Sequence, residues 1–223
     1  MFQKPMICAP VIEKNAKFAL QSAEKAIDLG ADILELRIDM LEKPNPDEIQ
    51  QLIQDINYPT IATNRMQSEG GFFKGSEEKR TSILIEAAEY ADIIDIELQT
   101  DEEMRDNVIE AAKSSIVSYH DFQKTPSFEE LLDVVKAEKE IGNIAKFAVM
   151  PNSYKDTLTV LNVLSEVPNT IGIAMGDLGR YTRIVAPIFG SPITFASIDK
   201  ESAPGQIDIN ATKDILRKLT VID

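Results

Sequence analysis

Two reactive side chains are almost missing from this chain. Its 223 residues include one cysteine, Cys8, and one histidine, His120. A lone cysteine cannot close an internal disulfide, which points to a reducing cytoplasm. One histidine and one cysteine also fall short of a zinc site within a single chain. Acidic residues leave a carboxylate-held Mg²⁺ or Ca²⁺ open, but no Asp-x-Asp-x-Asp-Gly loop is present, and the expectation is a chain with no metal and no cofactor. No apolar stretch approaches the roughly 18 residues of a membrane span. The segment from Met1 to Cys8 lacks the apolar core of a signal peptide, so a cytoplasmic location is expected.

Positive charge is scarce as well. Lysine and arginine number 23 against 37 aspartates and glutamates, for a net charge of −14. Nucleic acid and anionic membrane both need a basic face, so neither is expected as a partner. A small anionic substrate is repelled at long range by such a chain. Any site for one must rest on local arginines.

What the chain does have is alternation. Hydrophobic residues make up 43% of it, ample for a full core. Short runs rich in Ile, Val and Ala are followed by longer amphipathic segments, and the unit returns roughly every 25–30 residues. Strands are predicted at 6–10, 33–37, 60–65, 93–97, 116–120, 144–150, 170–175 and 193–197. Helices are predicted at 15–29, 47–56, 76–90, 101–113, 128–141, 154–164, 181–187 and 211–219. Asn45-Pro46 offers an N-cap with proline at the first helical position. Ser127 and Glu130 form a capping box. Gly30 and Gly142 stand where a left-handed closing residue is wanted. Strands alternating with helices imply parallel pairing and right-handed crossovers. Eight such units predict an α/β fold, a parallel eight-stranded (β/α)₈ TIM barrel filling 1–223 as a single catalytic domain. An open doubly wound sheet is the alternative, but no Gly-x-Gly-x-x-Gly turn follows the first strand.

Strand parity carries the most information, because successive side chains point to opposite faces. Leu34, Leu36 and Ile38 share one face, and Glu35 and Arg37 the other. Ile94, Ile96 and Leu98 oppose Asp95 and Glu97. Ser118 shares a face with His120, and Lys146 with Ala148. The apolar faces should pack under the helices, which sends Glu35, Arg37, Arg65, Asp95, Glu97, His120 and Lys146 inside the barrel or to its rim. Ionised groups there cost several kcal/mol each unless paired. Structural readings exist for each taken singly. Glu35 and Arg37 can be an ion pair, Asp95 and Glu97 partners for cations, His120 a satisfied core histidine, and Lys146 a strand-end lysine reaching for solvent. Several polar residues gathered at strand carboxyl ends are what an active barrel has.

A free lysine near pKa 10.4 is uncharged in roughly one molecule in a few thousand at neutral pH. A dry interior and neighbouring cations raise that fraction. A neutral lysine attacks a ketone to give an imine, and the protonated imine acidifies the adjacent carbon. His120 has the resting pKa of a base for that proton. Arg183 or Arg65 can pair bidentately with a carboxylate. Glu35, Arg37 and Gln206 can hold hydroxyls. The segments from Gln67 to Gly75 and from Ser202 to Gln206 read as movable covers.

These residues, in this order, resemble the type I 3-dehydroquinate dehydratases. The matching blocks are Glu35-Leu36-Arg37-Ile38-Asp39, Arg65 with Glu69-Gly70-Gly71, Asp95-Ile96-Glu97, Ser118 to Phe122, Lys146 to Pro151, Met175-Gly176 with Gly179 and Arg183, Phe189-Gly190-Ser191, and Ser202 to Gln206. The resemblance implies a (β/α)₈ barrel that dehydrates 3-dehydroquinate to 3-dehydroshikimate in the shikimate pathway, without metal. It implies Lys146 as the imine-forming residue and His120 as general base and acid, with Glu69 positioning the histidine. It implies Arg183 as the carboxylate clamp, with Glu35, Arg37, Arg65, Ser202 and Gln206 as further substrate contacts, and a homodimer. Some members place serine near the substrate on the first strand, where this chain has Cys8, so Cys8 is left out of the site. The alternative within imine chemistry is a class I aldolase, for which Gly190-Ser191 faintly suggests a phosphate cradle.

Overall fold

The computed structural model of the chain describes residues 5–199 and 203–219. Eight strands form one sheet: β1 (Met6–Val11), β2 (Ile33–Arg37), β3 (Thr60–Thr63), β4 (Ile93–Glu97), β5 (Ser115–Asp121), β6 (Ile144–Val149), β7 (Thr170–Ala174) and β8 (Ile193–Phe195). All are parallel, in the order β7-β6-β5-β4-β3-β2-β1-β8. The crossovers carry α1 (Ala16–Leu29), α2 (Pro46–Ile56), α3 (Glu77–Ala88), α4 (Glu102–Ala111), α5 (Phe128–Ile141) and α6 (Tyr154–Glu166). This is the expected (β/α)₈ barrel.

The circle is not evenly stitched. Among the described residues no ladder joins β7 to β8. The helix predicted at 181–187 is replaced by two single turns, α7 (Gly176–Gly179) and α8 (Thr182–Val185), then a 3₁₀ turn over Ala186–Phe189. These turns bridge the seam. Thr182 Oγ1 accepts from the amide of Ala174, the last residue of β7, at 3.2 Å, and Thr194 of β8 donates to the Arg183 carbonyl at 2.6 Å. The last helix, α9 (Ile209–Leu219), follows β8.

Local chemistry explains most helix ends. Asn45 caps α2 by accepting from the Asp47 amide, with Pro46 behind it. Ser127 and Glu130 close a reciprocal capping box on α5. Gly30 ends α1 in the left-handed region, at φ 92°. Gly142 does not match its expectation: it is extended, with φ −122° and ψ 168°. What requires glycine there is space, since a Cβ would stand 2.5 Å from Val117 Cγ2.

The outward faces of the strands pack under the helices as parity predicts. Leu34, Leu36 and Ile38 join Ile49, Leu52 and Ile53 of α2 in one buried cluster. The inward faces are layered. Ile33, Ile61, Ile116, Ile171 and Ile193 are buried together near the amino ends of their strands, with Ile93, Ile144 and Met6 packed against them. Burying one such side chain contributes roughly 1.5–3 kcal/mol, so this floor is a large part of the barrel's stability. Two residues further along, β2 to β6 turn polar with Glu35, Thr63, Asp95, Ser118 and Lys146, all buried. On the other side Cys8, Ile173 and Phe195 keep the wall apolar. The sequence therefore builds a plugged barrel whose upper half is polar on one side and greasy on the other.

One buried group lies outside this scheme. Glu138 of α5 is fully buried, and neither of its carboxyl oxygens has a hydrogen-bond partner. Burial, with the Glu69 carboxyl adding to it, pushes Glu138 well above its ordinary value of 4.5. The folded protein thus keeps a proton that the unfolded chain releases, and stability falls as pH rises above about 4.5. Glu138→Leu should raise the thermal midpoint, by more at pH 8 than at pH 5, for a gain of about 1–3 kcal/mol at the higher pH. Melting curves at the two pH values check this; an equal gain at both would show that Glu138 does not ionise on unfolding.

Candidate active site

Lys146 sits in the middle of β6 and points inward. Its side chain is 5% exposed, and Nζ lies 2.7 Å from Asp95 Oδ2 and 3.6 Å from Glu35 Oε1. The Phe195 ring lies beneath it, with Nζ 4.5 Å from the centroid. Neighbouring cations would help such an amine lose its proton, but its nearest charged neighbours are carboxylates. Burial alone would raise Asp95; Arg65 and Lys146 outweigh it and hold that carboxyl well below its ordinary range.

Asp95 is one member of a chain of alternating charges. Arg65 donates to Asp95 Oδ1 at 2.7 Å, to Glu97 Oε1 at 2.9 Å and to Ser118 Oγ at 2.7 Å. Glu97 also accepts from the Met66 amide at 3.0 Å and, through its other oxygen, from Arg80 at 2.8 Å. Glu35 and Arg37 do not pair with each other as one reading of the sequence allowed. Glu35 accepts from Thr63 at 3.0 Å. Arg37 forms a two-toothed pair with Asp39 at 2.9 and 2.7 Å.

The same carboxylates pin the segment after β3. Glu97 takes the Met66 amide at its start, while Asp39 takes the amides of Arg65 at 3.3 Å and Phe72 at 3.1 Å. Between these ties a 3₁₀ turn, Gln67–Glu69, closes on Gly70 at φ 81°. A Cβ on Gly71 would lie 1.8 Å from the Arg65 carbonyl oxygen, so only glycine lets the chain double back this tightly. A segment read from sequence as a movable cover is thus tied at both ends of its first half. Its product is the placement of Glu69, whose Oε2 lies 2.9 Å from His120 Nδ1.

His120 lies next to the carboxyl end of β5 and shares its inward face with Ser118. Ser118 pairs in register with Lys146, and His120 with Ala148, so His120 stands one inward step above Lys146 on the next strand. Burial holds the imidazole well below 6.5, and the Arg65 and Lys146 cations add to the effect. Burial also pushes Glu69 up to about 8, with Glu97 and Asp95 adding against Arg65. Both shifts keep this pair free of net charge separation near neutrality. The Glu69 contact at Nδ1 leaves Nε2 as the nitrogen available for chemistry.

A cavity of about 370 Å³ opens over these groups. Lys146, His120, Glu69, Glu35, Arg37 and Arg65 line it on one side, and Arg183 and Gln206 on another. Arg183 is buried and donates to the Pro204 carbonyl at 3.1 Å. The Gly176 amide donates to the same oxygen at 3.1 Å, which fastens the segment bearing Gln206 to the turn after β7. Ser202 lies outside the described residues. The structure therefore brings together every predicted site residue that it describes. The sequence reading missed Phe195, Asp39 and Arg80. Inward parity with Ile193 was the signal for Phe195; for Arg80, inside an amphipathic helix, there was none. Among the described residues no cluster of three or more His, Cys, Asp or Glu side chains is placed to hold a metal ion. Gly190 and Ser191 precede β8 and cap the 3₁₀ turn at the floor end, with Gly190 donating to the Ala186 and Pro187 carbonyls. They are far from the mouth and form no phosphate cradle there.

The family model described as Type I 3-dehydroquinase matches residues 7–223. The chain belongs to that family. A 3-dehydroquinate dehydratase of Methanothermobacter thermautotrophicus is 52% identical over 213 residues, covering 96% of each chain. One from Methanobrevibacter smithii is 48% identical over 216 residues, covering 97% of this chain and 96% of its own. Among solved structures, 3-dehydroquinate dehydratase from Geobacillus kaustophilus superposes with a TM-score of 0.91 at 31% identity, covering 97% of this chain and 91% of its own. The type I enzyme from Clostridium difficile, solved with covalently modified comenic acid, gives 0.90 at 31% identity, covering 99% and 94%.

A dehydroquinase-family chain with one histidine is well suited to a direct check. With ¹⁵N-labelled histidine, the His120 ring should remain neutral at pH 6, below its ordinary 6.5. Because the unfolded ring takes up a proton that the folded ring refuses, this group should cost stability as pH falls below about 6.5. A ring already half-protonated at pH 6.5 would contradict the burial argument.

Proposed function

We propose that this chain removes water from 3-dehydroquinate to give 3-dehydroshikimate, through an imine on Lys146 with His120 as acid and base. Membership of the type I 3-dehydroquinase family makes it a hydro-lyase. The observation that carries the mechanism is a buried lysine and the chain's only imidazole lining one cavity, the imidazole held at Nδ1 by the Glu69 carboxyl group at 2.9 Å.

The steps follow from the groups present. Lys146 must first give up a proton. Glu35 at 3.6 Å and the neutral His120 are the bases in the same cavity. The free amine adds to the substrate ketone, and loss of one water leaves a protonated imine. Asp95, 2.7 Å from Nζ, faces a cation before this step and after it, so the ion pair persists through bond formation. The imine acidifies the neighbouring carbon, and His120 removes its proton. The resulting enamine expels the hydroxyl one carbon further on, which leaves as water with the proton His120 has taken. A second water then cleaves the conjugated imine and frees Lys146. The net change is the loss of one water.

Arg183, buried on the opposite wall, is the carboxylate clamp in this reading, and Gln206, Arg37 and Ser202 hold substrate oxygens. The apolar side formed by Phe195 and Ile173 suits the carbon face of a six-membered ring. The aldolase alternative has lost its supposed phosphate cradle to the floor of the barrel. No described helix is long and apolar enough to cross a membrane. A single catalytic domain, a cytoplasmic location and a homodimer complete the reading, the last tested by sedimentation at twice the chain mass.

Incubation with 3-dehydroquinate and borohydride should leave a stable adduct on Lys146, located by peptide mass. Lys146→Ala should lose both adduct and turnover. His120→Ala should still trap substrate while kcat falls about 10²–10⁴-fold. Near wild-type turnover by the His120 variant would remove the acid–base assignment. Arg183→Gln should mainly raise KM, read from the absorbance of the enone product.

A further inference from the structure

We propose that Arg80, on the outer helix α3, is a positioning residue for the catalytic centre. It rests on the reading just given and extends it to a residue outside the cavity.

Arg80 is 1% exposed, among the largest fully buried side chains. A guanidinium has five N–H donors, and here all five are used. Nε and Nη2 grip Glu77 of the same helix at 2.8 and 2.6 Å. Nη2 also donates to Thr100 Oγ1 at 2.9 Å, after β4. Nη1 donates to the Asn64 carbonyl at 2.6 Å and to Glu97 Oε2 at 2.8 Å. Asn64 returns a bond from its side-chain amide to the Arg80 carbonyl at 3.1 Å.

Two of these contacts reach the chemistry. Asn64 is the residue before Arg65. Glu97 is the carboxylate that orients Arg65 and accepts from Met66, where the Glu69 turn begins. Arg65 in turn holds Asp95 against Lys146. A line of alternating charge thus runs Arg80, Glu97, Arg65, Asp95, Lys146, and a side branch sets Glu69 on His120. Glu97 has no exposure to water and faces two arginines. Removing Arg80 leaves it with one, free to pull Arg65 away from Asp95. The contact to Glu77 reaches neither branch, and Thr100 meets Glu97 only through its backbone amide, which donates to the Glu97 carbonyl at 3.1 Å and is kept when the Thr100 side chain is changed.

The test compares Arg80→Met and Arg80→Lys with Glu77→Gln and Thr100→Val in the full chain, each shown to be folded by its melting curve. Arg80→Met should lower kcat about 10- to 100-fold with little change in KM, the effect of a small misplacement of reacting groups. The acid limb of its kcat profile and the ¹⁵N titration of His120 should both move to higher pH, because an uncompensated Glu97 anion favours the imidazolium. Arg80→Lys, which keeps the charge and loses the fork, should restore the pH limb but not the full kcat. The two control variants should lose stability and keep kcat. A folded Arg80→Met protein with wild-type kcat or an unshifted histidine titration would overturn the proposal, whereas failure of the wild-type chain to trap substrate on Lys146 would overturn the parent reading. The histidine titration needs no substrate and decides the positioning role in either case.

Discussion

A single carboxylate between two cations organises the upper half of this barrel. Asp95 accepts from Arg65 through one oxygen and from Lys146 through the other, both at 2.7 Å. An ammonium in the interior of a protein is costly, and so is a carboxylate. Each is tolerated here because the other is present, because Ser118 donates to Asp95, and because Glu97 takes up the other side of Arg65. In the proposed mechanism the arrangement has a chemical use: Asp95 would support the charged forms of the Lys146 nitrogen, free or bonded to carbon, and leave proton removal to other groups.

The fold was readable because it is written in periods. Alternation of apolar runs with amphipathic stretches placed all eight strands, and parity alone sent Glu35, Asp95, Glu97 and Lys146 inward, where they are. Parity says nothing about distance along the strand axis. Arg37 therefore reads as a partner for Glu35, although its fork reaches Asp39 just past the strand. Arg80 was not readable. A charged residue in the first turn of an amphipathic helix ordinarily faces water, and only tertiary placement shows it turned beneath the loop. Glu138 evaded the pattern for the same reason. Gly142 was placed correctly and explained wrongly: the residue is glycine because of Val117, not because of its backbone angles. The region after β7 broke the eightfold rhythm, since short turns stitched across a seam carry no long helical period.

Charge acts here on two scales. The whole chain carries −14, while the cavity gathers Arg37, Arg65, Arg183 and Lys146. Two of those arginines are already paired inside the barrel, Arg37 with Asp39 and Arg65 with Asp95 and Glu97. Arg183 lines the same cavity from the segment after β7. In the proposed reaction it takes the substrate carboxylate, which would leave the ketone facing Lys146 and the hydroxyls facing Glu35 and Arg37.

The floor of isoleucines has a consequence for traffic. With Ile33, Ile61, Ile116, Ile171 and Ile193 buried together across the narrow end, the barrel is a blind well rather than a tunnel. In the proposed reaction the water lost on forming the imine, the water expelled by elimination and the water needed to hydrolyse the product would all share the doorway used by the substrate itself. A ring bonded to Lys146 and seated in that doorway would meter solvent, and the last hydrolysis, which must come before the occupant can leave, would draw on molecules trapped alongside it or admitted past it.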